Sequence, residues 1–399
     1  MKGKDLKPHI GIYGRRNNGK SALINYLTEQ NTAIVSDHPG TTTDPVKKSV
    51  EIFGIGPAII VDTAGIDDTG ELGRLRVEKS LKTVPAVDMA ILVITQNTFD
   101  RPEEEIIDRL NDYNVPFIVV HNKSDLAPLD TETKNMIESK YSVPVLDFST
   151  FDASQKEQLI DYIVKTMPES VYANNSLFGG IVKPKDTVLL VTPIDSEAPA
   201  GRMILPQVMA WRDVLDNDCI CVSVKESELE DVLKKGLKPS LVVTDSQVFA
   251  QVSRIVPDDI MLTSFSILFA HYRGNFNACL QGTPYINCLS DTDKVLILES
   301  CTHQVSCEDI GRYKIPGWIK THTGKYPEFV VVSGLSDIPG AIEDYAIVIQ
   351  CGGCMVTQKQ LNGRLKPFID KGIPVTNYGM VIAWMSGIFE RVTEPFMKK

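Results

Sequence analysis

Residues 9–21 read HIGIYGRRNNGKS, and this stretch decides the fold of the first part of the chain. From Gly14 to Ser21 it matches the phosphate-binding pattern of two glycines separated by four residues and followed by lysine and serine. The apolar run before the pattern predicts a strand, and residues 21–29 predict a helix. A strand, a glycine-rich loop and a helix in this order indicate a nucleotide-binding α/β domain with a mostly parallel sheet.

The chemistry of this loop predicts how it would hold a nucleotide. The two glycines let backbone N–H groups wrap the phosphates. The Lys20 ammonium can neutralise the β and γ oxygens, and the Ser21 hydroxyl can ligate magnesium. The residues expected to bind nucleotide here are Gly14, Asn17, Asn18, Gly19, Lys20, Ser21 and Ala22.

Two further motifs extend this prediction downstream. The strand AIIVD leads into Thr63-Ala64-Gly65, which suits a carboxylate at Asp62 near magnesium and the Gly65 amide at the γ-phosphate. The strand PFIVVH is followed by Asn122-Lys123-Ser124-Asp125, and the Asp125 carboxylate can accept both N–H groups of guanine, a pairing that adenine does not offer. The motifs therefore predict a site for GTP and GDP with Mg²⁺. The residues predicted to take part in hydrolysis from these motifs are Lys20, Ser21, Asp62 and Gly65.

Outside these motifs, apolar runs alternate with amphipathic stretches along a chain of 399 residues, a length typical of two or three domains. We predict a GTP-binding domain over residues 1–172 and, after a linker, two smaller α/β domains over 181–260 and 261–399. The clearest strands of the smaller domains are TVLLVTP, SLVVTD, KVLILES, FVVVSG and YAIVIQC.

The composition limits the possible partners. A net charge of −10 and a pI near 5.2 disfavour a sequence-independent nucleic-acid binder, which needs a clustered excess of lysine and arginine. The sequence contains no run of about 18 apolar residues that could cross a bilayer. We therefore predict a cytoplasmic protein with no nucleic-acid or membrane partner, whose eight cysteines stay reduced.

Two pairs of soft metal ligands follow predicted strands of the third domain. Cys301-x-His303 follows KVLILES, and Cys351-Gly352-Gly353-Cys354 follows YAIVIQ. The second spacing lets two thiolates converge on one metal, while the glycines let backbone N–H groups donate to sulfur. Residue chemistry alone leaves a structural zinc site and an iron–sulfur cluster both open. A redox pair of cysteines and plain burial of the four side chains also fit the spacing.

The three nucleotide motifs, in this order, resemble those of translation-factor-type GTPases. The resemblance implies that Ser149 begins the loop over the guanine, although threonine replaces the usual alanine at the next position. Asn17 and the segment Gly40–Asp44 are similar to those of potassium-activated members, which implies a K⁺ ion near Asn17 and closure of Thr42 onto magnesium as part of catalysis. Ile66 stands where many such GTPases have a glutamine that orients the attacking water. The potassium ion could orient this water in place of the glutamine.

Over essentially the whole chain, the sequence resembles the HydF family of FeFe-hydrogenase maturation GTPases. The features that carry this resemblance are the nucleotide motifs, PIDSEAPAGRMILPQ from Pro193, TSFSILFAHYRG from Thr263 and the cysteine and histidine pairs. The resemblance implies a dimerising middle domain and a 4Fe-4S cluster in the third domain, with function as scaffold and carrier of a diiron subcluster precursor. The partners that it implies are a second copy in a homodimer, radical S-adenosylmethionine maturases and the apo FeFe-hydrogenase that receives the diiron unit.

The same resemblance implies the cluster ligands. The three implied thiolates are Cys301, Cys351 and Cys354. They would leave one iron with an exchangeable position, for which we rank His303 first, Glu308 second and Cys307 third. The family commonly has a histidine before the second cysteine pair, whereas this chain has Gln350 and lacks that ligand.

Two different functions also fit the sequence. One is a potassium-activated GTPase of RNA modification or ribosome assembly with a structural zinc in its third domain, although its RNA-binding face would need a basic patch that the composition does not indicate. The second is a regulatory dimer that binds GTP without turnover, which Ile66 leaves open. Potassium-dependent phosphate release and anaerobic metal analysis distinguish these functions from the cluster carrier.

Overall fold

A computed structural model describes residues 7–28, 45–52, 54–68, 70–168, 176–194, 203–300, 310–353 and 356–397. The chain divides into two compact units, Met1–Ala173 and Asn174–Lys399. The first unit has the extent of the predicted GTP-binding domain, and the second contains both smaller predicted domains. The boundary between these two smaller domains stays a prediction.

The first unit is built on a sheet whose strands run mostly parallel. Its strands are β1 (His9–Gly14), β2 (Val46–Ile52), β3 (Gly56–Asp62), β4 (Met89–Ile94), β5 (Phe117–His121) and β6 (Val145–Asp147). Its α-helices are α1 (Lys20–Thr28), α2 (Gly70–Thr83), α3 (Arg101–Asp112), α4 (Thr131–Tyr141) and α5 (Lys156–Thr166). Within the described residues the strand order is β2-β3-β1-β4-β5-β6, with only the β2 and β3 pair antiparallel. This arrangement confirms the predicted α/β fold class.

Both faces of this sheet are buried. Ile10 and Ile12 of β1 lie in one core with Leu23 of α1, and all three side chains are inaccessible to solvent. Tyr13 points to the other core, which it shares with Ile106 of α3. Helices on both faces explain why the strands read as continuous apolar runs. The two cores fix β1 and α1, and so they hold both ends of the loop between them.

The second unit contains two sheets with one topology. Their strands are β7 (Thr187–Val191), β8 (Ile220–Val224), β9 (Leu241–Thr244) and β10 (Met261–Ser264), then β11 (Lys294–Glu299), β12 (Glu328–Ser333), β13 (Ile347–Gln350) and β14 (Val375–Asn377). Among the described residues, the parallel sheets have the orders β10-β9-β7-β8 and β12-β11-β13-β14. In both sheets the first and third strands in chain order are the two central strands, and they pair with each other. Strand β10 belongs to the first sheet, although the third predicted domain begins at residue 261.

The C-terminal helices join the two sheets into one unit. The α-helices here are α6 (Leu205–Asp216), α7 (Leu229–Lys234), α8 (Phe249–Ile255), α9 (Phe265–Tyr272), α10 (Phe276–Gly282), α11 (Ile315–Thr323), α12 (Gln358–Asp370), α13 (Tyr378–Met385) and α14 (Phe389–Thr393). Met380 of α13 shares a core with Leu189 and Val242 of the first sheet. The Thr263 hydroxyl of β10 donates to the Val392 carbonyl of α14 at 2.9 Å. None of the described helices is long and apolar enough to cross a membrane.

Candidate functional site

The loop between β1 and α1 requires glycine at two positions. Gly14 has φ +146°, and a Cβ added there would lie 2.3 Å from the Val93 carbonyl oxygen. Gly19 has φ +86°, and a Cβ added there would lie 2.3 Å from Nδ2 of Asn122. A side chain at either position would force the neighbouring backbone or the Asn122 side chain to move. The tight path of this loop suits the wrapping of phosphates that its sequence predicts.

Lys20 is buried and holds the loop closed. Its Nζ donates to the carbonyl oxygens of Gly14 and Arg15, each at 2.8 Å. Burial lowers the pKa of Lys20, while nearby carboxylates, first among them Asp62, act in the opposite direction. The ammonium is therefore fixed at the centre of the loop, where phosphate oxygens would need a positive charge.

Two asparagines connect the phosphate loop to the guanine motif. Nδ2 of Asn18 donates to the Val93 carbonyl at 2.9 Å, and its Oδ1 accepts from the Thr95 hydroxyl at 2.9 Å. Nδ2 of Asn122 donates to the Asn18 carbonyl at 2.9 Å. Both asparagine side chains are buried, so these hydrogen bonds hold the loop against the ends of β4 and β5. Both residues belong to motifs predicted to bind nucleotide, and in the structure their side chains have this supporting role.

The two loops predicted to bind guanine contact each other. The exposed carboxylate of Asp125 accepts a hydrogen bond from the Ser149 hydroxyl at 2.6 Å. The same Ser149 oxygen accepts from the Phe151 N–H at 3.2 Å. Lys123, at φ +61°, brings its Cε to 3.9 Å from the position that a Cβ on Gly19 would occupy. Ser149 thus orients Asp125, while Lys123 lies against the phosphate loop.

A buried histidine outside the predicted set of site residues supports the guanine motif. His121 ends β5 and is inaccessible to solvent. Its Nε2 accepts from the Asn97 N–H at 3.2 Å, so the ring proton lies on Nδ1 and donates to the Asp147 carboxylate at 2.8 Å. His121 therefore ties the start of the guanine motif to β6 and to the loop after β4. In the sequence, the feature that points to this role is the position of His121 directly before Asn122.

The magnesium side of the site offers oxygen ligands. Ser21 is half-buried in the first turn of α1, and Asp62 ends β3. Burial raises the pKa of Asp62, and the charges of Lys20 and Lys48 oppose that shift. A hydroxyl and a carboxylate are donors that Mg²⁺ prefers. Thr42, the further residue predicted to act on magnesium, lies outside the described residues.

The segment after β3 lies close to the phosphate loop. A Cβ added to Gly65 would lie 2.9 Å from the Arg16 backbone nitrogen, and the Ile66 N–H donates to the Gly14 carbonyl at 3.3 Å. The Ile66 side chain is 5% exposed and packs in the core that contains Tyr13. An apolar side chain packed in this way does not orient a water molecule, so another group must do so.

The two arginines of the phosphate loop form ion pairs that the motifs do not predict. Arg15 Nε lies 2.8 Å from the carboxylate of Glu103, which is completely buried at the start of α3. Arg16 Nε lies 2.7 Å from the carboxylate of Asp68, and Arg76 of α2 lies 3.7 Å from the same carboxylate. These pairs tie the loop to α3 and α2. In the local sequence, the feature that points to these ion pairs is the presence of two consecutive arginines inside the motif.

The second candidate site lies at the carboxyl ends of β11 and β13. The predicted ligands Cys301, His303, Glu308 and Cys354, together with Cys307, lie outside the described residues. The described sulfur, of Cys351, accepts N–H groups from Ser300 at 3.0 Å and from Gly353 at 3.4 Å. Gly353 has φ +62°, a conformation that glycine adopts without strain. Backbone N–H groups aimed at one sulfur fit a thiolate that ligates a metal or an iron–sulfur cluster.

The charge of Arg364 interacts electrostatically with Cys351. Burial lowers the pKa of Arg364, and interaction with Cys351 acts in the opposite direction. The guanidinium donates to the carbonyl oxygens of Gly334 and Ser336, which holds it in place. Within the part of the chain that the structure describes, no three His, Cys, Asp or Glu side chains come together as metal ligands.

The remaining cysteines do not offer ready metal ligands. Cys219 and Cys279 are buried, Cys221 is half-buried and Cys288 is exposed. Burial raises the pKa of Cys279 to about 12 and that of Cys221 to about 11. Thiols of this kind stay protonated, whereas metals bind the thiolate. Cys288 differs from the other three because it ends a short helical turn at the surface.

Three protein families match successive parts of the chain. Residues 9–123 match the family described as 50S ribosome-binding GTPase. Residues 177–274 match the hydrogen maturase F dimerization domain, and residues 276–395 match the hydrogen maturase F tetramerization domain. The last two matches indicate a protein that assembles with copies of itself.

Individual relatives resemble mainly the first unit. The tRNA modification GTPase MnmE of Clostridioides difficile is 34% identical over 167 residues, which are 41% of this chain and 36% of that protein. MnmE of Prochlorococcus marinus is 33% identical over 159 residues, which are 39% of this chain and 34% of that protein. The chain therefore spans about a third of the length of these relatives.

Solved structures of GTPases resemble the chain with low overall similarity. Era of Aquifex aeolicus is 20% identical with a TM-score of 0.36, over 54% of this chain and 93% of that chain. NFeoB of S. thermophilus is 21% identical with a TM-score of 0.32, over 44% of this chain and 71% of that chain.

The family matches agree with the site geometry. The GTPase family covers β1, the phosphate loop and the guanine motif as far as Lys123, so the first unit is a P-loop GTP hydrolase that binds GTP and GDP with Mg²⁺. The two hydrogen maturase domains cover nearly all of the second unit. A GTPase followed by these two domains is the architecture of hydrogen maturase F, and the chain belongs to this family of FeFe-hydrogenase maturation GTPases.

Proposed function

We propose that this chain is a cytoplasmic GTPase and 4Fe-4S cluster scaffold that carries a diiron subcluster precursor and delivers it to apo FeFe-hydrogenase. The observation that carries the proposal is the Cys351 sulfur, which accepts N–H groups from Ser300 and Gly353. These two residues directly precede Cys301 and Cys354 in the chain. Each of these two cysteines is thus one residue along the chain from an N–H donor to the Cys351 sulfur, which supports a shared cluster.

The cluster would be held by thiolates and leave one position for exchange. The proposed thiolate ligands are Cys301, Cys351 and Cys354. His303, Glu308 or Cys307 would occupy the fourth position, and a carboxylate there would be the most easily replaced. When bound, the cluster would supply an iron at which the diiron cargo can dock. The chain would contribute N–H donors to sulfur and the nearby charge of Arg364, both of which stabilise thiolate.

In the GTPase unit, the loop between β1 and α1 would bind the phosphates through backbone N–H groups. Lys20 would neutralise the charge that develops on the β and γ oxygens, since its ammonium is fixed inside the loop. Ser21 and Asp62 would hold magnesium, and Thr42 would close onto it. The Gly65 amide would meet the γ-phosphate.

Guanine recognition and potassium activation would involve different loops. Asp125 would accept the two N–H groups of guanine while Ser149 orients its carboxylate. A potassium ion beside Asn17 would supply the positive charge and the water orientation that Ile66 does not provide. Hydrolysis would time a change in assembly or the release of a partner protein.

Asn17→Gly is expected to abolish potassium stimulation of GTP hydrolysis and to leave GDP affinity nearly unchanged. Asn17 is exposed and has φ +61°, so glycine keeps the backbone conformation and removes only the side chain. Phosphate release measured in potassium and in sodium chloride tests this. Asn114→Gly, at another exposed asparagine with positive φ, is the matched control and should keep the stimulation. Equal stimulation of the Asn17 variant and the wild type would contradict the assignment.

The proposed partners follow from the proposed cargo. A second copy of the chain would form a homodimer through the domain over residues 177–274. Radical S-adenosylmethionine maturases would build the diiron unit on or near the cluster. Apo FeFe-hydrogenase would then receive it.

The deciding experiment is anaerobic purification of the full chain, followed by iron, sulfide and zinc analysis and EPR of the reduced protein. We expect iron and sulfide in equal amounts, and we expect Cys351→Ala to lose both while GTP hydrolysis continues. Cys288→Ala, at an exposed cysteine outside the predicted ligand set, is the control and should keep the cluster. Zinc in a stoichiometric amount without sulfide would overturn the proposal.

A second candidate function follows from one observation, the similarity of the first unit to tRNA modification GTPases. It would combine a potassium-activated GTPase of RNA modification or ribosome assembly with a structural zinc. The net charge of −10 does not favour contact with RNA phosphates. Tight tRNA binding at physiological salt, together with stoichiometric zinc, would select this function over the cluster carrier.

A further inference from the structure

Gln350 links the two strand ends of the candidate metal site. Its side chain, at the end of β13, is 1% exposed. Nε2 lies 2.7 Å from the Ser300 hydroxyl oxygen and 3.2 Å from the Leu298 carbonyl, both on the β11 side. It also lies 3.1 Å from the Cys351 carbonyl and 3.5 Å from the Cys351 sulfur. One amide group is therefore shared by the chain that leads to Cys301 and the chain that starts the second cysteine pair.

These neighbours determine which way the amide faces. Two of them are carbonyl oxygens and one is sulfur, which accept hydrogen bonds, and a hydroxyl can accept as well. The reverse orientation would place the amide oxygen against these acceptors. Oε1 of Gln350 is buried and has no hydrogen-bond partner among the described residues. A buried oxygen left in this way lowers stability, whereas the N–H groups of the same amide have acceptors.

The Gln350 amide adds a third N–H donor to the Cys351 sulfur. Ser300 and Gly353 supply the first two from the backbone. Hydrogen bonds to a ligating sulfur draw electron density from it and stabilise the reduced, more negative state of an iron–sulfur cluster. Since the Ser300 hydroxyl also contacts Gln350, the same side chain orients the residue before Cys301.

We infer that Gln350 is a positioning residue that sets the reduction potential of the cluster through its N–H group on the Cys351 sulfur. The inference rests on the cluster proposed above. Gln350 occupies the position before the second cysteine pair, and it acts through Cys351 without binding iron. Removing its N–H group therefore lowers the reduction potential and changes the EPR signal of the reduced cluster, while three thiolates still hold the iron.

The test compares Gln350→Leu with the wild type in anaerobically reconstituted full-length protein, by dye-mediated redox titration followed by EPR. Iron and sulfide content should stay the same. The midpoint potential should fall by about 59 mV, which corresponds to a tenfold change in the ratio of oxidised to reduced cluster. Gln207→Leu is the matched control, because Gln207 is also a buried glutamine and caps the start of α6. Its potential should equal that of the wild type.

An unchanged potential and an unchanged EPR signal in Gln350→Leu would overturn the inference. If that variant does not fold, Gln350→Asn tests the inference. Asparagine keeps the amide, but its side chain is one methylene shorter, so its N–H groups no longer reach the Cys351 sulfur. Its potential should also fall, and a value equal to the wild type would overturn the inference. Wild-type protein that binds zinc without sulfide would instead overturn the proposed function, so the two failures are distinguishable.

Discussion

Asp125→Asn is expected to change the preferred nucleotide from GTP to xanthosine triphosphate. Guanine presents two N–H donors to Asp125, and a carboxylate accepts both, whereas asparagine offers one acceptor and one donor. Xanthine carries a carbonyl in place of the guanine amino group, so it pairs with asparagine. Asparagine keeps one of the two acceptors, so one hydrogen bond to a charged group, worth about 1.5–3 kcal/mol, is lost, and kcat/KM for GTP should fall about 10-fold to 150-fold.

Steady-state hydrolysis of both nucleotides measures this change. The Ser149 hydroxyl donates to Oδ1 of Asp125, an atom that asparagine keeps, so the loops should stay in contact. Asp130→Asn is the control, because Asp130 is exposed on the same loop and caps α4 through the Thr133 N–H. It should leave the preference for GTP intact. A variant at Asp125 that still prefers GTP would show that guanine is recognised elsewhere.

Lys20→Ala is expected to reduce kcat/KM for GTP hydrolysis by about a thousandfold, a loss typical of removing a fixed donor from a site of developing charge. The substitution removes the charge that phosphate oxygens need. It also leaves the carbonyl oxygens of Gly14 and Arg15 without the donor that joins them, so the loop loses its closed shape. Both effects lower hydrolysis, and the second also weakens GDP binding.

Phosphate release and GDP titration separate these two effects. Lys134→Ala on α4 removes a lysine from an exposed ion pair and should hydrolyse GTP like the wild type. Circular dichroism of both variants checks that the fold is kept. Hydrolysis within tenfold of the wild type in Lys20→Ala would mean that the phosphates lie elsewhere.

The apolar strands were predictable, and the polar and short strands were not. Strands β1, β4 and β5 are buried on both faces, so their sequences read as unbroken apolar runs. Strand β2, with the sequence VKKSVEI, has one neighbour in the sheet and mostly exposed side chains, so it carries no such signal. The order of the strands in the two sheets of the second unit was also missed, because apolar runs do not encode which strands pair.

The candidate sites show the same limit. The phosphate loop is contiguous, so its residues could be named from sequence alone. The ion pair between Arg15 and Glu103 joins positions 88 residues apart, and only the folded chain brings them together. Gln350 was noted as a lost ligand, but its role as a donor to sulfur depends on the neighbouring strand end.

The second unit contains two parallel four-stranded sheets. In each, the third strand in chain order is followed directly by a polar or sulfur-containing residue. In one sheet β13 ends at Gln350 and Cys351 follows, while in the other β9 ends at Thr244 and Asp245 follows. Because strands of a parallel sheet all finish at one edge, the loops there can change without disturbing the buried framework.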